Sequence, residues 1–335
     1  MHAFAPGRVN LIGEHTDHTG GLCLPFAVAM GATVVGRRGG DRVVLSSAQV
    51  AGTADLALDV ADPSAVEPSA VEPSWARYVA GVVAELAPAT GFVGTLSSDV
   101  PVGAGMSSSA AVEVAVALAL GFEGDVEDLA SLAQRAEHRA TGVPCGILDQ
   151  LASAAAQEGH AFVLDCHTLE RTQVAMPENI EVRVVHSGQE RTLAGSAYAE
   201  RRAQCEAAEA VIGPLRLAAV SAADAIDDPV LRRRARHVVT ENQRVRDAAD
   251  ALRSGDLAGL GALLDEGHRS LRDDFEVSTP IVDATVERLR AQAGVHGVRL
   301  MGGGFGGCVV AVTEPGALDE GWHARPGSGA WVEVG

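Results

Sequence analysis

A chain of 335 residues is longer than one hydrophobic core usually serves, so two domains are expected. Its 47% hydrophobic and 21% charged residues suit a globular protein and not a disordered one. A formal net charge of −18 argues against nucleic acid or an anionic membrane surface as a partner, because both reward clustered positive charge.

The opening residues, MHAFAPGRVN, carry no charged stretch followed by an apolar run, so no signal peptide is expected. TVVGRR and DRVVLSS are β-branched runs bounded by glycines and predict strands. The tandem unit SAVEPSAVEPS, Ser64 to Ser74, is too short for a solenoid and predicts a surface loop. WARYVAGVVAELA has helical spacing, with Trp75, Tyr78, Val79, Val82 and Val83 on one side. After the short strand GFVGTLSS, the segment PVGAGMSSSAAVEVAVALALG reads as a glycine–serine turn entering a helix that is apolar nearly all round, hence buried. LASLAQRAEHRATG and GILDQLASAAAQEG predict two further helices, and HAFVLDC a strand.

From about residue 180 the pattern restarts with the strand EVRVVHS, and long helices are predicted over 197–211, 229–253 and 256–271. The end reads as a helix, PIVDATVERLRAQAG, a glycine run and a strand, CVVAVTE. A domain boundary is therefore placed near 170–180, with an N-terminal domain over 1–175 and a C-terminal domain over 176–335. The longest apolar stretch is interrupted by Glu113 and is too short to span a bilayer. Five dispersed cysteines without a CxxC pair give no zinc or thioredoxin-like pattern and suit reduced thiols in a reducing compartment. A soluble, cytoplasmic protein is expected.

Three segments carry chemistry. Residues 6–21, PGRVNLIGEHTDHTGG, bring Arg8, Glu14, His15 and Asp17 into a glycine-punctuated stretch. Carboxylates and an imidazole that close suit a ligand with several hydroxyls, although composition alone fits a charged, solvated turn as well. Residues 101–111, PVGAGMSSSAA, place glycines and serines before a helix N-terminus, where unpaired amides and the helix dipole favour an anion. The P-loop lysine is absent, and indeed the 26 basic residues include no lysine, so a phosphate site here must work with arginine, amides and a cation. A serine cap after a tight turn explains this segment equally well when it is taken alone. Residues 302–308, GGGFGGC, require close backbone approach to a ligand or to another backbone, and they precede a strand, which does not fit a dinucleotide fingerprint.

In this order and at these separations, the three segments resemble the signature motifs of the GHMP kinase superfamily. GRVNLIGEHTDxxGG, PVGAGMSSSAA and MGGGFGGC are most similar to its galactokinase family, and HRATGVPCGILDQ, SAYAERRAQC, ARHVVTEN and SLRDDFEVSTP extend the likeness along nearly the whole chain. The resemblance implies an α+β fold of two lobes with the active site in the cleft between them. It implies a soluble ATP- and Mg²⁺-dependent kinase that phosphorylates the anomeric 1-hydroxyl of galactose, acting as a monomer. Residue by residue, it implies that Asp149 is catalytic and that Arg8 approaches the transferred phosphoryl group. Glu14, His15, Asp17, Gly146, Asp149 and Tyr198 would bind the sugar. Gly103, Ala104, Gly105, Met106, Ser107, Ser108 and Ser109 would hold the ATP phosphates, with Trp75 and Tyr78 walling the adenine. Ser108, Ser109 and Glu137 would serve the metal.

Two departures from the family pattern bear on the sugar. His18-Thr19 stands where Tyr-Asn is usual, and VVHSGQERTLAG, 184–195, lacks the expected asparagines. They leave two other readings open: another anomeric sugar kinase, acting on N-acetylgalactosamine, arabinose or a uronic acid, and a non-catalytic sugar and ATP sensor. The complete second motif speaks against the sensor.

Overall fold

The computed structural model describes residues 1–58, 67–101, 103–190 and 194–334. Ser64 to Val66 of the tandem repeat, Val102 of the second motif and residues 191–193 of the altered stretch lie outside them. The first half runs β1 (His2–Asn10), β2 (Leu22–Cys23), β3 (Pro25–Arg38), β4 (Arg42–Ser47) and β5 (Thr53–Ala57). It continues through α1 (Ala76–Leu86), β6 (Phe92–Ser98), α2 (Ser108–Leu120), α3 (Val126–Thr141), α4 (Leu148–Ala155), β7 (His160–Asp165) and β8 (Arg171–Ala175). The second half runs β9 (Glu181–His186), α5 (Ala194–Ile212), α6 (Val220–Asp224), α7 (Pro229–Ser254), α8 (Leu257–Asp273) and α9 (Pro280–Arg290). It closes with β10 (Val295–Leu300), β11 (Cys308–Thr313), β12 (Trp322–His323) and β13 (Trp331–Glu333).

Among the described residues the strands form three sheets, ordered β13-β1-β3-β6-β4-β5, β10-β11-β9-β12 and β2-β7-β8. Alternation along β3 and β4 turns Ala32, Val34, Val43 and Leu45 inward, where they meet Val79, Val83, Val114 and Ala117 of α1 and α2. Helix α2 is buried on nearly every side, as its uniformly apolar sequence predicts. A second apolar cluster joins the halves: Val9, Leu11 and Ile12 pack with Val245, Leu264 and Val310. No helix among the described residues is long and apolar enough to cross a membrane.

The long helices of the second half appear where the sequence placed them, and α7 and α8 carry their own start signals. Asp228 accepts hydrogen bonds from the Val230 and Leu231 amides with Pro229 at the first helical position, and Asp256 accepts from the Gly259 amide. The end of the chain differs from expectation in two ways. The third glycine segment joins two antiparallel strands, β10 and β11, and does not follow a helix directly. The strand VHGVRL was hidden because Gly297 and the inward-facing Arg299 break its apolar alternation. The last strand, β13, returns to the first sheet and pairs antiparallel with β1, Phe4 opposite Trp331, so the chain's end lies against its beginning. This pairing is nonlocal and leaves no periodic trace in the sequence.

Candidate active site

The first motif straddles a strand end. Arg8 sits on β1 just beyond an irregularity in the β1–β3 register between Pro6 and Arg8. The backbone there lies against the second motif: the Arg8 amide donates to the Met106 carbonyl at 3.0 Å. A Cβ on Gly7 would meet that same oxygen at 2.5 Å, so only glycine permits the approach. The Arg8 guanidinium meets the first turn of α4. Its Nε donates to Asp149 Oδ1 at 2.8 Å, its Nη2 lies 2.7 Å from the same oxygen, and its Nη1 donates to the Gly105 carbonyl at 2.7 Å. Burial opposes the charge on Arg8, but the neighbouring Asp149, Glu14 and Asp17 carboxylates outweigh it and hold the guanidinium above its ordinary value. Asp149 lies in the first turn of α4, and its other oxygen accepts a short hydrogen bond from the Ser107 hydroxyl.

Ser107 precedes α2 in the left-handed region, φ 53°, and its side chain does not cap the helix. The first amides of α2 are therefore left to an external acceptor. Ser109 donates to Glu137 Oε1 at 2.9 Å, and Gln150 Nε2 donates to Glu137 Oε2 at 2.5 Å. Burial and the nearby Asp149 charge push the Glu137 carboxyl up to about 7. The Glu137 carboxylate with the Ser108 and Ser109 hydroxyls is an oxygen-only donor set of the kind Mg²⁺ takes, and a cation there would offset the buried negative charge. The described residues contain no group of three or more His, Cys, Asp or Glu placed to hold a metal by themselves. Such a set fits a cation that draws its remaining ligands from phosphate and water. Behind it Glu113 on α2 is fully buried, with Gln150 Nε2 3.4 Å from its Oε2, and burial raises its carboxyl well above the ordinary range.

Between these elements lies a cavity of about 780 Å³, of the size that takes a small-molecule substrate. It brings together Arg8, Glu14, His15, Asp17, Tyr78, Gly103, Gly105, Met106, Ser107, Ser108, Ser109, Glu137, Gly146, Asp149 and Tyr198 of the sequence reading. Two predicted residues stand apart. Ala104 is fully buried in the second apolar cluster. Trp75 does not line the cavity; it packs on the first cluster and its indole N–H lies 3.4 Å from the Ala51 carbonyl.

The remainder of the first motif has its own geometry. Asp17 begins a short 3₁₀ turn, Asp17–Thr19, and packs on Gly146, where an added Cβ would meet Asp17 Oδ2 at 2.0 Å. Burial, then the Asp149 and Glu14 charges, push the Asp17 carboxyl up to about 7. His15 is buried, has φ 62°, and neither ring nitrogen has a partner. Its ring packs 4.5 Å from Phe275 and 5.4 Å from Tyr198, centroid to centroid. Burial holds the imidazole well below its ordinary pKa, so it is neutral, with one donor and one acceptor to offer. His18 stands against Tyr198 at 5.7 Å, also with both nitrogens unpartnered, and burial lowers it to about 3.

Glu14 is already engaged. It accepts from Arg299 Nη2 at 3.0 Å, the Gly302 amide at 2.8 Å and Asn10 Nδ2 at 3.0 Å. Arg299, fully buried on β10, also donates to the Leu11 and Asn10 carbonyls at 2.5 and 2.9 Å, tying the third glycine segment to the first motif. Sequence reasoning missed Arg299, and it missed His186 and Glu190, which line the cavity from the second half. The only sequence signal for Arg299 was a charge at an inward position of an otherwise apolar strand.

Comparisons with known proteins agree with this geometry. The "Galactokinase galactose-binding signature" matches residues 1–38, the "GHMP kinases N terminal domain" residues 77–157 and the "GHMP kinases C terminal" domain residues 248–326. Human galactokinase is 42% identical, over 93% of this chain and 83% of that protein. The crystal structure of Lactococcus lactis galactokinase complexed with galactose superposes with a TM-score of 0.89 at 32% identity, covering 98% of this chain and 94% of that one. Mevalonate kinase of Methanococcus jannaschii shares the fold, TM-score 0.69 at 18% identity over 94% of this chain and 90% of that one. A two-lobed α+β fold with a glycine–serine loop feeding a buried helix at its cleft defines a GHMP kinase, an enzyme class that draws on ATP. Within that class the chain belongs to the galactokinase family, the sugar kinases.

Proposed function

We propose that this enzyme transfers the γ-phosphoryl group of Mg-ATP to the anomeric 1-hydroxyl of α-D-galactose, giving galactose 1-phosphate and ADP, in the cytoplasm and as a monomer. The observation that carries the reading is the hydrogen-bonded group Arg8–Asp149–Ser107, which stands where the sugar motif meets the N-terminus of α2. Galactose as the sugar is supported by the galactose-binding signature over 1–38 and by the neighbour complexed with galactose. The sugar O1–H bond breaks, O1 bonds the γ-phosphorus, and the bond from that phosphorus to the ADP oxygen breaks. Phosphoryl transfer asks the protein mainly for alignment and for charge on the equatorial oxygens.

In this reading Asp149 accepts the hydrogen bond of the sugar 1-hydroxyl and takes its proton, while Arg8 faces the transferred group. Asp17, His15 and Tyr198 meet the other hydroxyls, and Glu14 presents whatever lone pairs its network leaves free. The amides and hydroxyls of 103–109 hold the phosphates, and Tyr78 lies at the adenine end. Mg²⁺, held by Ser108, Ser109 and Glu137, would neutralise phosphate charge. The lobes divide near 170–180, one over 1–175 with the first two motifs and the other over 176–335 with the third. A coupled ADP-release assay tests the reading across galactose, N-acetylgalactosamine, glucose, arabinose and galacturonate. The expected result is a kcat/KM for galactose well above the rest. Preference for another sugar would move specificity to His18 and the 184–195 stretch, and no turnover with any sugar would overturn kinase function.

A further inference from the structure

The sugar motif holds a strained backbone that is braced from two directions, the nearer being its own Thr16, whose hydroxyl lies 3.0 Å from the Gly13 carbonyl and 2.7 Å from the Leu22 carbonyl. His15 lies at φ 62°, a left-handed conformation that is unfavourable for a non-glycine residue and persists only where the surroundings over-determine it. Gly13, two residues earlier, lies at φ 100°, where a Cβ would meet the Leu22 carbonyl at 2.6 Å. The ring nitrogens of His15 make no close hydrogen bond, with the Gly303 backbone as a nearby polar neighbour, so the side chain does little to hold its own backbone in place. The other restraint comes from α7, more than 200 residues away in the chain. Glu241 Oε1 accepts the Gly13 amide at 2.9 Å. His237 Nε2 donates to the Glu14 carbonyl at 3.0 Å, which fixes the tautomer, since a carbonyl can only accept. Asn242 Oδ1 accepts the Leu22 amide at 2.7 Å. The Glu14 carbonyl belongs to the peptide unit that precedes His15, so the His237 contact fixes the plane about which φ of His15 is set.

These three side chains are themselves immobilised. His237, Glu241 and Asn242 are buried, and the first two lie four residues apart on the same helix face. The Ser270 hydroxyl lies 2.9 Å from His237 Nδ1, and Arg244 donates to Glu241 Oε2 at 2.7 Å. His237 also stacks on Phe275 at 4.6 Å, and Phe275 on His15 at 4.5 Å, so backbone and ring of His15 are set by the same support. None of the three α7 residues lines the cavity.

We propose that His237, Glu241 and Asn242 are positioning residues: α7 pre-organises the strained 13–22 loop in its sugar-binding shape before any sugar arrives. The inference rests on the assignment of that loop to the sugar. Its effect belongs to sugar binding and not to nucleotide binding, because within the motifs the clamp touches the first one, at residues 13, 14, 21 and 22. Pre-organisation lowers the ordering cost of binding, so loss of the clamp raises the sugar KM and spares the ATP KM.

Two measurements test this. The first pairs His237→Leu, which deletes the donor, with His237→Gln, whose amide can restore an N–H near the Nε2 position. The leucine variant should raise the galactose KM about tenfold with the ATP KM within about twofold, and the glutamine variant should recover most of the loss. An unchanged galactose KM, a parallel rise in both KM values, or no recovery in the glutamine variant would overturn the proposal. The second needs no variant and so survives a leucine variant that does not fold: amide hydrogen exchange of the sugar-free protein. The Gly13 and Leu22 amides should be protected to about the same degree as those of β1. Fast exchange that slows only when galactose is added would show that the sugar, not α7, orders the loop. This readout does not depend on turnover, so failure of the galactose assignment and failure of the clamp remain distinct results.

Discussion

The two walls of the cleft are prepared for their ligands in opposite ways. On the side proposed for the sugar, the backbone of 13–22 is tied down by α7 and by Thr16, while the His15 ring nitrogens make no close hydrogen bond. On the phosphate side the polar side chains are already paired with one another: Ser107 with Asp149, Ser109 with Glu137, and Glu137 with Gln150. A neutral polyol offers only modest hydrogen bonds, so its site gains from open donors and acceptors on a rigid frame. A phosphate–metal group brings concentrated charge that can displace weaker internal pairs, so the side chains facing it can hold one another beforehand. The difference teaches that pre-organisation sits in the backbone where the ligand is weakly polar and in side-chain networks where it is highly charged.

The largest test of the comparison is Asp149→Asn, which keeps the shape of the side chain that joins the walls but removes its charge. We expect kcat to fall by about 10²–10⁴-fold with galactose binding retained, measured by steady-state kinetics and by calorimetric titration. A variant keeping more than about a tenth of kcat would remove Asp149 from any proton-accepting role.

An intermediate effect concerns pH and the sugar wall. Asp17 titrates near 7 in the free enzyme, facing Asp149, Glu14 and Arg8, so kcat/KM for galactose should fall about tenfold for each pH unit below that value. A flat profile down to pH 5.5 would show that the sugar accepts a protonated Asp17. The folded state holds this proton more tightly than the unfolded chain, whose aspartate has its ordinary value of 3.8. The corresponding contribution to stability is therefore complete below that value and is lost as pH rises through about 7. Galactose should restore it, raising Tm by more at pH 8 than at pH 6.

The smallest expected effect distinguishes the two aromatic residues of SWARY. Tyr78 lines the cavity, so Tyr78→Ala should raise the ATP KM about three- to tenfold. Trp75 packs on the first apolar cluster, so Trp75→Leu should lower Tm by a few degrees and leave the ATP KM within about twofold. The reverse outcome would place Trp75 against adenine in the nucleotide complex, as the resemblance implied.

Much of this enzyme was legible in the order of its residues. The glycine–serine turn, the buried helix after it and the long helices of the second half are local features. Their periodicity and capping depend on neighbours within a few positions. Arg8, Asp17, Ser107, Glu137 and Asp149 were named through the family resemblance, and the structure gathers them around one cavity. What the sequence did not disclose lies in long-range pairs: Glu241 with Gly13, Arg299 with Glu14, and β13 with β1. A buried histidine, glutamate or asparagine on a helix has the same local signature whether it braces a distant loop or merely finds a partner in the core. Only the tertiary structure, which brings residues more than 200 positions apart within hydrogen-bond distance, decides which of these it does.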